Sequence, residues 1–536
     1  VTNGPSHQPY YKGVKLKNLN TGEEFKITGL PAKPKINYVT WAPDGKNFAF
    51  ILTSDKDIQL WNVNIAAKRA KRLSNLELNF TLGRPFYWLS DNKTIICTVL
   101  DKKRGKVPEK PLTSDGPVLQ ESFSKVAASR TYPDLLGNPY DETLFEYYFT
   151  SQIYKVSIDG KVLKIGKNAI ITNFEPSPDS KYILVEKIQR PFSYLVPYYR
   201  FPEKAEIWDK NGSLVKEIAD LPLQEEVPVT FGAVPTGPRE FGWRNDAPAS
   251  IYWAEAQDKG DPKIEAKIRD KVFILNAPFK TKASSLISLE YRFDKITWGN
   301  GKLALVEESW WKNRKERTWI ISPDIAKQKP EILFDRSSED RYGDPGNPVL
   351  KETSKGTNIL LSDGKSLFFT GDGASPEGKR PFIDKLDLKT KKMERLWRSS
   401  APYYEMPVKL IDDNGKTILT RIESTNKSPN YFFRDLGKKN IKQFTFFPNP
   451  TPQLANIKKE IIKYEREDGI KLNATLYLPE GYKKENGPLP MLMWAYPREF
   501  KNADAAGQIT NSPYEFVRIG WGSPLFFLTQ GYAIIE

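Results

Sequence analysis

Residues 1–452 repeat one pattern of polar and apolar positions. A bulky residue enters a tight Asp, Asn or Gly turn, a Lys follows, and a run of alternating apolar residues comes next. The unit reads Trp41-Ala42-Pro43-Asp44-Gly45-Lys46 ahead of Phe48, Phe50 and Leu52, and returns as Trp88 to Lys93 and as Pro176 to Lys181. Degenerate copies run from Trp243 to Asp246 and from Trp298 to Lys302, and the last two are Ser362 to Lys365 and Asp412 to Lys416. Asp-Gly and Asn-Gly turns between alternating runs predict β-hairpins with one buried face. A second strand signal follows each unit, as at Ile58 to Trp61, Glu206 to Trp208 and Thr318 to Ile320. Seven units with turns 47 to 88 residues apart fit four-stranded blades joined by unequal loops. The expected fold is mainly β, a seven-bladed β-propeller over residues 1–452.

The widest spacing holds an insertion, about 101–150. Its polar, Pro- and Gly-rich first half is expected to be mobile, and its end predicts a helix from Asp141 to Phe149 with Asp141 as cap. Residues 453–536 change character. Ile461 to Tyr464, a turn at Asp468-Gly469 and Leu472 to Leu478 predict a hairpin. Leu489 to Tyr496 carries no polar alternation, and Gly531 to Glu536 starts another such run. Strands of this kind belong in a sheet covered on both faces, as in α/β domains. The expectation is that 453–536 form the N-terminal part of an α/β domain and that Glu536 is a cut through it.

Composition narrows the chemistry. Charged residues make 27% and apolar ones 39% of the 536 residues, enough to build a core, and no apolar run reaches the length of a membrane span. A single Cys, Cys97, excludes an intrachain disulfide and a cysteine-built zinc site, and its apolar surroundings predict a buried, inert thiol. The one His, His7, would have to serve any Ser-His-Asp site or His-ligated metal, so neither is expected within this sequence. Net charge is +15, but the basic clusters Lys68 to Arg72, Lys102 to Arg104 and Lys312 to Arg317 are short and lie beside turns and acidic neighbours. They read as solvated loops, not as a nucleic-acid face. No cofactor or metal is expected.

Several strings are more specific than composition: Arg130 to Leu136, Phe241 to Asp246 through Tyr252-Trp253-Ala254-Glu255 to Gly260-Asp261-Pro262, Trp494 to Glu499, and Ser523 to Phe526 followed by Gly531-Tyr532-Ala533. With them the chain resembles the prolyl oligopeptidase family of serine peptidases, and more closely its glutamyl endopeptidase-like branch. The resemblance implies a propeller followed by the truncated start of an α/β-hydrolase domain, acting on short peptides, acidic ones among them, and cleaving after Glu. It implies a nucleophilic Ser on a Gly-x-Ser-x-Gly elbow with a later Asp and His, and no such elbow occurs in this sequence. The chain as given is thus expected to be inactive alone, its partner being the missing C-terminal part of its own domain. Tyr496 matches the family's oxyanion donor. Arg498 and Arg244 are the guanidinium groups expected near a substrate carboxylate, with an ordinary ion pair the stronger reading for Arg244. The alternative is an inactive propeller that binds peptides or a protein partner. An extracytoplasmic or periplasmic location is expected, with the cytoplasm or a plastid as alternatives.

Two patterns are set aside. Gly373 to Lys379 resembles a phosphate loop but continues into Arg380 and Pro381, so it predicts a hairpin loop. The adjacent pairs Glu225-Glu226 and Glu307-Glu308 point to opposite faces if they lie on a strand, and could act jointly only from a loop or a helix.

Overall fold

The computed structural model describes residues 3–5, 8–113, 132–325, 328–438 and 440–536. His7, Arg130, Thr131 and the middle of the insertion lie outside the described residues. The chain divides into two compact units, one of Val1–Glu308, Ser322–Pro330 and Glu352–Ile359, the other of Ser309–Ile321, Glu331–Lys351 and Leu360–Glu536.

The first unit is a succession of antiparallel meanders. Ile36–Trp41, Asn47–Thr53, Ile58–Asn64 and Arg69–Arg72 pair in chain order. A seven-stranded sheet follows from Phe86–Trp88 to Leu214–Leu221, again in chain order. It resolves into two four-stranded meanders that share the long strand Val162–Pro176. Residues Val162 to Ile165 of that strand pair with Thr150–Ser157, and Ile170 to Pro176 pair with Tyr182–Ile188, with breaks in register between. Pro238–Trp243, Ser250–Ala256, Asp270–Asn276 and Ser284–Leu289 make a further meander, and Arg292–Asn300 neighbours Leu303–Trp310.

The expected single buried face is corrected by the structure. Asn47–Thr53 is buried at every position but the last, and Thr94–Val99 at every position but the first. The reason, for the two meanders of the seven-stranded sheet, is packing on both sides. Ile95 and Cys97 join Ile51 and Leu60 of the preceding sheet in one cluster, while Ile96, between them, joins Phe174, Ile183 and Val185 of the next. Leu184 in turn packs with Trp243 and Ile251 of the sheet after that. Alternate side chains of one strand therefore feed two cores, each buried Ile, Leu or Phe contributing about 1.5–3 kcal/mol. The turns are stitched as well: Asp44 N–H donates to Asn92 Oδ1 (2.8 Å), Ser90 N–H to Ser180 Oγ (2.9 Å) and Asp179 N–H to the Pro248 carbonyl (3.0 Å).

The helix of the insertion runs Pro139–Phe149 and its cap is Asn138, not Asp141. Pro139 has no N–H to lose and its fixed φ starts the helix, which moves the cap one residue ahead of it. Asn138 Oδ1 accepts from Asp141 N–H (3.0 Å), and Asp141 Oδ2 accepts from Gly137 N–H (2.8 Å) in return.

In the second unit Lys315–Ile321 pairs with Glu331–Ser337, and two further antiparallel sheets contain Ser366–Gly371, Phe382–Asp387 and Met393–Arg398, then Tyr404–Leu410, Thr417–Glu423, Asn430–Asp435 and Asn440–Gln443. The last sheet orders Lys458–Glu465, Lys471–Leu478, Ala533–Ile535 and Met491–Met493, the final pair parallel. The expected hairpin and both apolar strands are present, but the strand expected from Leu489 to Tyr496 is only Met491–Met493. Its Met491 and Met493 are 53% and 69% exposed on one face of this edge strand, while Leu492 between them packs on the other face against the cluster of Leu454, Val517, Leu525 and Ile534. Ala533 and Ile534, in the middle of the sheet, are buried. No helix among the described residues is long and apolar enough to cross a membrane.

Candidate functional site

The loop that leaves Met491–Met493 carries the residues singled out from the sequence. Trp494 N–H donates to the Ile535 carbonyl (2.8 Å), which continues the parallel pairing by one rung. Beyond it the chain turns into solvent. Tyr496 is 85% exposed and Arg498 is exposed beside it. Among the described residues neither side chain has a hydrogen-bond or ion-pair partner. A phenol donor and a guanidinium thus stand two residues apart at the end of a sheet strand, both free to meet a ligand.

Arg244 is in the opposite situation. Its side chain is buried and lies in the first unit, where Nε and Nη2 reach Asp246 (both 2.8 Å) and Nη1 and Nη2 reach Asp324 (2.5 and 3.0 Å). The guanidinium also sits 5.3 Å from the centre of the Trp298 ring. Four of its five N–H groups are held by these two carboxylates, so in this structure Arg244 makes a structural ion pair and has no bidentate edge open. It also explains the degenerate fourth unit. At six of the seven turns the Asp or Asn side chain accepts from the backbone N–H of the Lys, as Asp44 does from Lys46, Asp91 from Lys93 and Asp363 from Lys365. At the fourth turn Asp246 holds Arg244 instead.

Sequence reasoning missed a group of carboxylates in the first unit. Burial pushes Glu175 up to about 7 against the pull of Arg84. Burial, with the charge of Glu203 next, pushes Glu186 up to about 7 although Asn173 donates to it (2.7 Å). Glu203 is raised by burial too, with Thr172 as its donor. They come from the strands Val162–Pro176, Tyr182–Ile188 and Glu203–Asp209 and carry no spacing that would mark them. Among the described residues no group of three or more such side chains is arranged to hold a metal ion.

Of the patterns set aside, the phosphate-like string and the second Glu pair behave as expected, but Glu225-Glu226 lies in a turn outside any strand, so the opposite-face argument does not reach it. Gly373 to Arg380 is a hairpin loop closed by the Arg380 N–H on the Gly373 carbonyl (2.9 Å). Glu307 pairs with Lys295 while its neighbour Glu308, fully buried, accepts from Tyr291 N–H. Burial raises the Cys97 thiol to about 12. The basic clusters are not all loops: Arg69–Arg72 is an edge strand and Arg72 pairs with Asp57, while Lys315 and Arg317 share Asp335.

No protein-family model matches the chain. It is 41% identical over 566 aligned residues to the probable glutamyl endopeptidase, chloroplastic, of Oryza sativa subsp. japonica, and 40% identical over 564 to the protein of the same name from Arabidopsis thaliana. Each alignment takes in the whole of this chain but only 60% and 58% of those proteins. Among solved structures it is similar to prolyl oligopeptidase B from Galerina marginata, at 12% identity and a TM-score of 0.46 over 94% of this chain and 62% of that one. It is also similar to Pyrococcus horikoshii acylaminoacyl peptidase, at 11% identity and a TM-score of 0.44 over 97% and 59%. Identity of this size along the whole chain makes it a homologue of the proteins named glutamyl endopeptidase, of whose length it spans less than two thirds.

Proposed function

We propose that this chain is part of the working structure of a serine peptidase that cleaves short peptides after Glu. The observation that carries the reading is the 41% identity over its full length to a probable glutamyl endopeptidase. In this reading the Ser, Asp and His lie in the portion of the relatives' length that this chain does not span, and the chain alone is inactive. Tyr496 donates its hydroxyl to the oxyanion of the tetrahedral intermediate, a contribution of about 3 kcal/mol when one such donor is aimed at developing charge. Arg498, unpaired and two residues away, meets the carboxylate of the substrate Glu through its planar fork.

The sheets of residues 1–452, with Arg292–Asn300, Leu303–Trp310, Lys315–Ile321 and Glu331–Ser337 pairing in chain order as one of them, are read as seven blades, and 453–536 as the opening of the hydrolase domain. The double-sided packing of successive sheets and the turn-to-turn hydrogen bonds in the first unit support this, since both are what a radial stack of blades requires. The propeller then acts as a lid that admits short unfolded peptides. The names of both relatives favour the plastid over the extracytoplasmic location.

The test is labelling of the full-length protein with a fluorophosphonate probe, alongside cleavage of paired short peptides carrying Glu or Gln at the scissile position. Labelling with cleavage of the Glu peptide supports the reading. A protein that ignores the probe and leaves both peptides intact overturns it and favours an inactive peptide-binding propeller.

A further inference from the structure

The exposed loop that carries Tyr496 and Arg498 hangs between two anchors, both in the second unit. One is the Trp494 N–H on Ile535. The other is a single buried carboxylate far away in sequence. Glu339 accepts from Lys501 N–H through Oε1 (3.0 Å) and Oε2 (3.1 Å), and from Asn502 N–H through Oε2 (3.2 Å). Asn502 is the cap of the short helix Ala503–Ala506. Six residues, 495–500, span the interval.

Glu339 is itself immobilised. Its side chain and that of Arg314 are 8% and 5% exposed, and Arg314 Nε donates to Glu339 Oε1 (3.0 Å). Arg314 is fixed in turn: it has a left-handed φ of 56°, its guanidinium lies 3.5 Å from the centre of the Trp311 ring, and Nη1 donates to the Trp311 carbonyl (2.6 Å). The Lys501 ammonium closes the same corner by donating to the Lys312 carbonyl. Just beyond, Gln508 Oε1 accepts from Arg341 N–H (2.6 Å) and Tyr342 N–H (3.2 Å), and the Tyr342 hydroxyl accepts from Ile509 N–H (2.9 Å). The corner that leads into Lys315–Ile321 and follows Glu331–Ser337 is thus built to grip the chain immediately after the loop.

We propose that Glu339, seated by Arg314, is a positioning residue that sets where Tyr496 and Arg498 stand. This rests on the reading of those two residues given above. An ionised carboxylate is the one side chain that suits the place, because it accepts from three N–H donors with no hydrogen of its own to clash. The need for such a grip is physical: a loop with no internal hydrogen bonds and exposed side chains wanders, and a displacement of about 1 Å at a reacting group costs on the order of 10²-fold in rate.

The experiment compares the full-length protein with E339Q, E339D and Y496F by hydrogen–deuterium exchange and by kinetics on a short Glu-containing peptide. E339Q keeps the shape but turns an amide N–H₂ toward a backbone donor, so the amides of Lys501 and Asn502, which Glu339 holds, should exchange roughly tenfold faster or more. The strands Lys471–Leu478 and Ala533–Ile535 should keep their native exchange, which shows that the variant is folded. E339Q should lower kcat roughly tenfold, with E339D restoring part of the loss, and adding Y496F should cost less than Y496F does alone. Native exchange at Lys501 and Asn502, loosening of the two control strands as well, or additive losses in the double variant would each overturn the proposal. If Y496F alone leaves kcat at the native value, the oxyanion reading fails and the exchange result by itself decides the anchor.

Discussion

Arg244 and Asp246 face each other across two parallel hydrogen bonds, Nε to Oδ1 and Nη2 to Oδ2, each 2.8 Å. The side chains are 6% and 5% exposed, and the second carboxylate of the group, Asp324, is 60% exposed. Removing the guanidinium would strand Asp246 without a partner in a buried place. Arg244→Met is therefore expected to cost about 3 kcal/mol or more of stability, while Asp324→Asn costs at most about 1 kcal/mol because its charge already meets water. Chemical denaturation of the three proteins checks this. Peptide preference should not change in either variant, and a lost preference for Glu in a stable Arg244→Met protein would return Arg244 to the substrate site.

The turns were legible because their chemistry is local. An Asp that accepts from the N–H two residues on needs only its own neighbours, and the residue after it sits in the left-handed region in Gly45, Asn92, Ser180 and Gly364 alike. Double-sided burial was not legible in the same way, since whether Ile95 and Ile96 both find a core depends on sheets contributed by residues far along the chain. The bent strand Val162–Pro176 hid two meanders in one run for the same reason. At the site, Tyr496 and Arg498 could be named from a specific string, but Glu339 could not: its hydrogen bonds to Lys501 span 162 residues and leave no periodicity behind.

Glu175 gives the stability a pH dependence opposite to that of a salt-bridged acid. Folded, it holds its proton to about 7; unfolded, it releases it near the ordinary 4.5. Between these values the folded state binds more protons, so stability falls as pH rises through the window and the full penalty is present above it. Glu175→Gln is expected to be near neutral at about pH 4 and to stabilise by about 1–3 kcal/mol at about pH 8. Melting curves of both proteins at the two pH values decide it, and an equal difference at both would refute the assignment.

Arg498 has no carboxylate to lose, so its substitution should leave the fold intact. Arg498→Met in the full-length protein should keep the melting temperature within the range of ordinary surface changes, about ±0.5 kcal/mol. Its expected effect is on choice: KM for a Glu peptide should rise roughly tenfold or more, and the matched Gln peptide should be cut as before, since a bidentate charged contact is lost only where the substrate carries the charge. Equal losses on both peptides would assign Arg498 to the loop's conformation instead of to recognition.

Tyr496 separates binding from chemistry. At 85% exposure its ring buries little, so Tyr496→Phe removes one hydroxyl and almost no packing. If that hydroxyl stabilises charge that exists only in the transition state, kcat should drop by about 10²-fold with KM nearly unchanged, because ground-state contacts are untouched. The same variant should still take a fluorophosphonate probe, more slowly, since the nucleophile remains. A rise in KM at native kcat would instead make Tyr496 a binding surface for the peptide, and the oxyanion would need another donor.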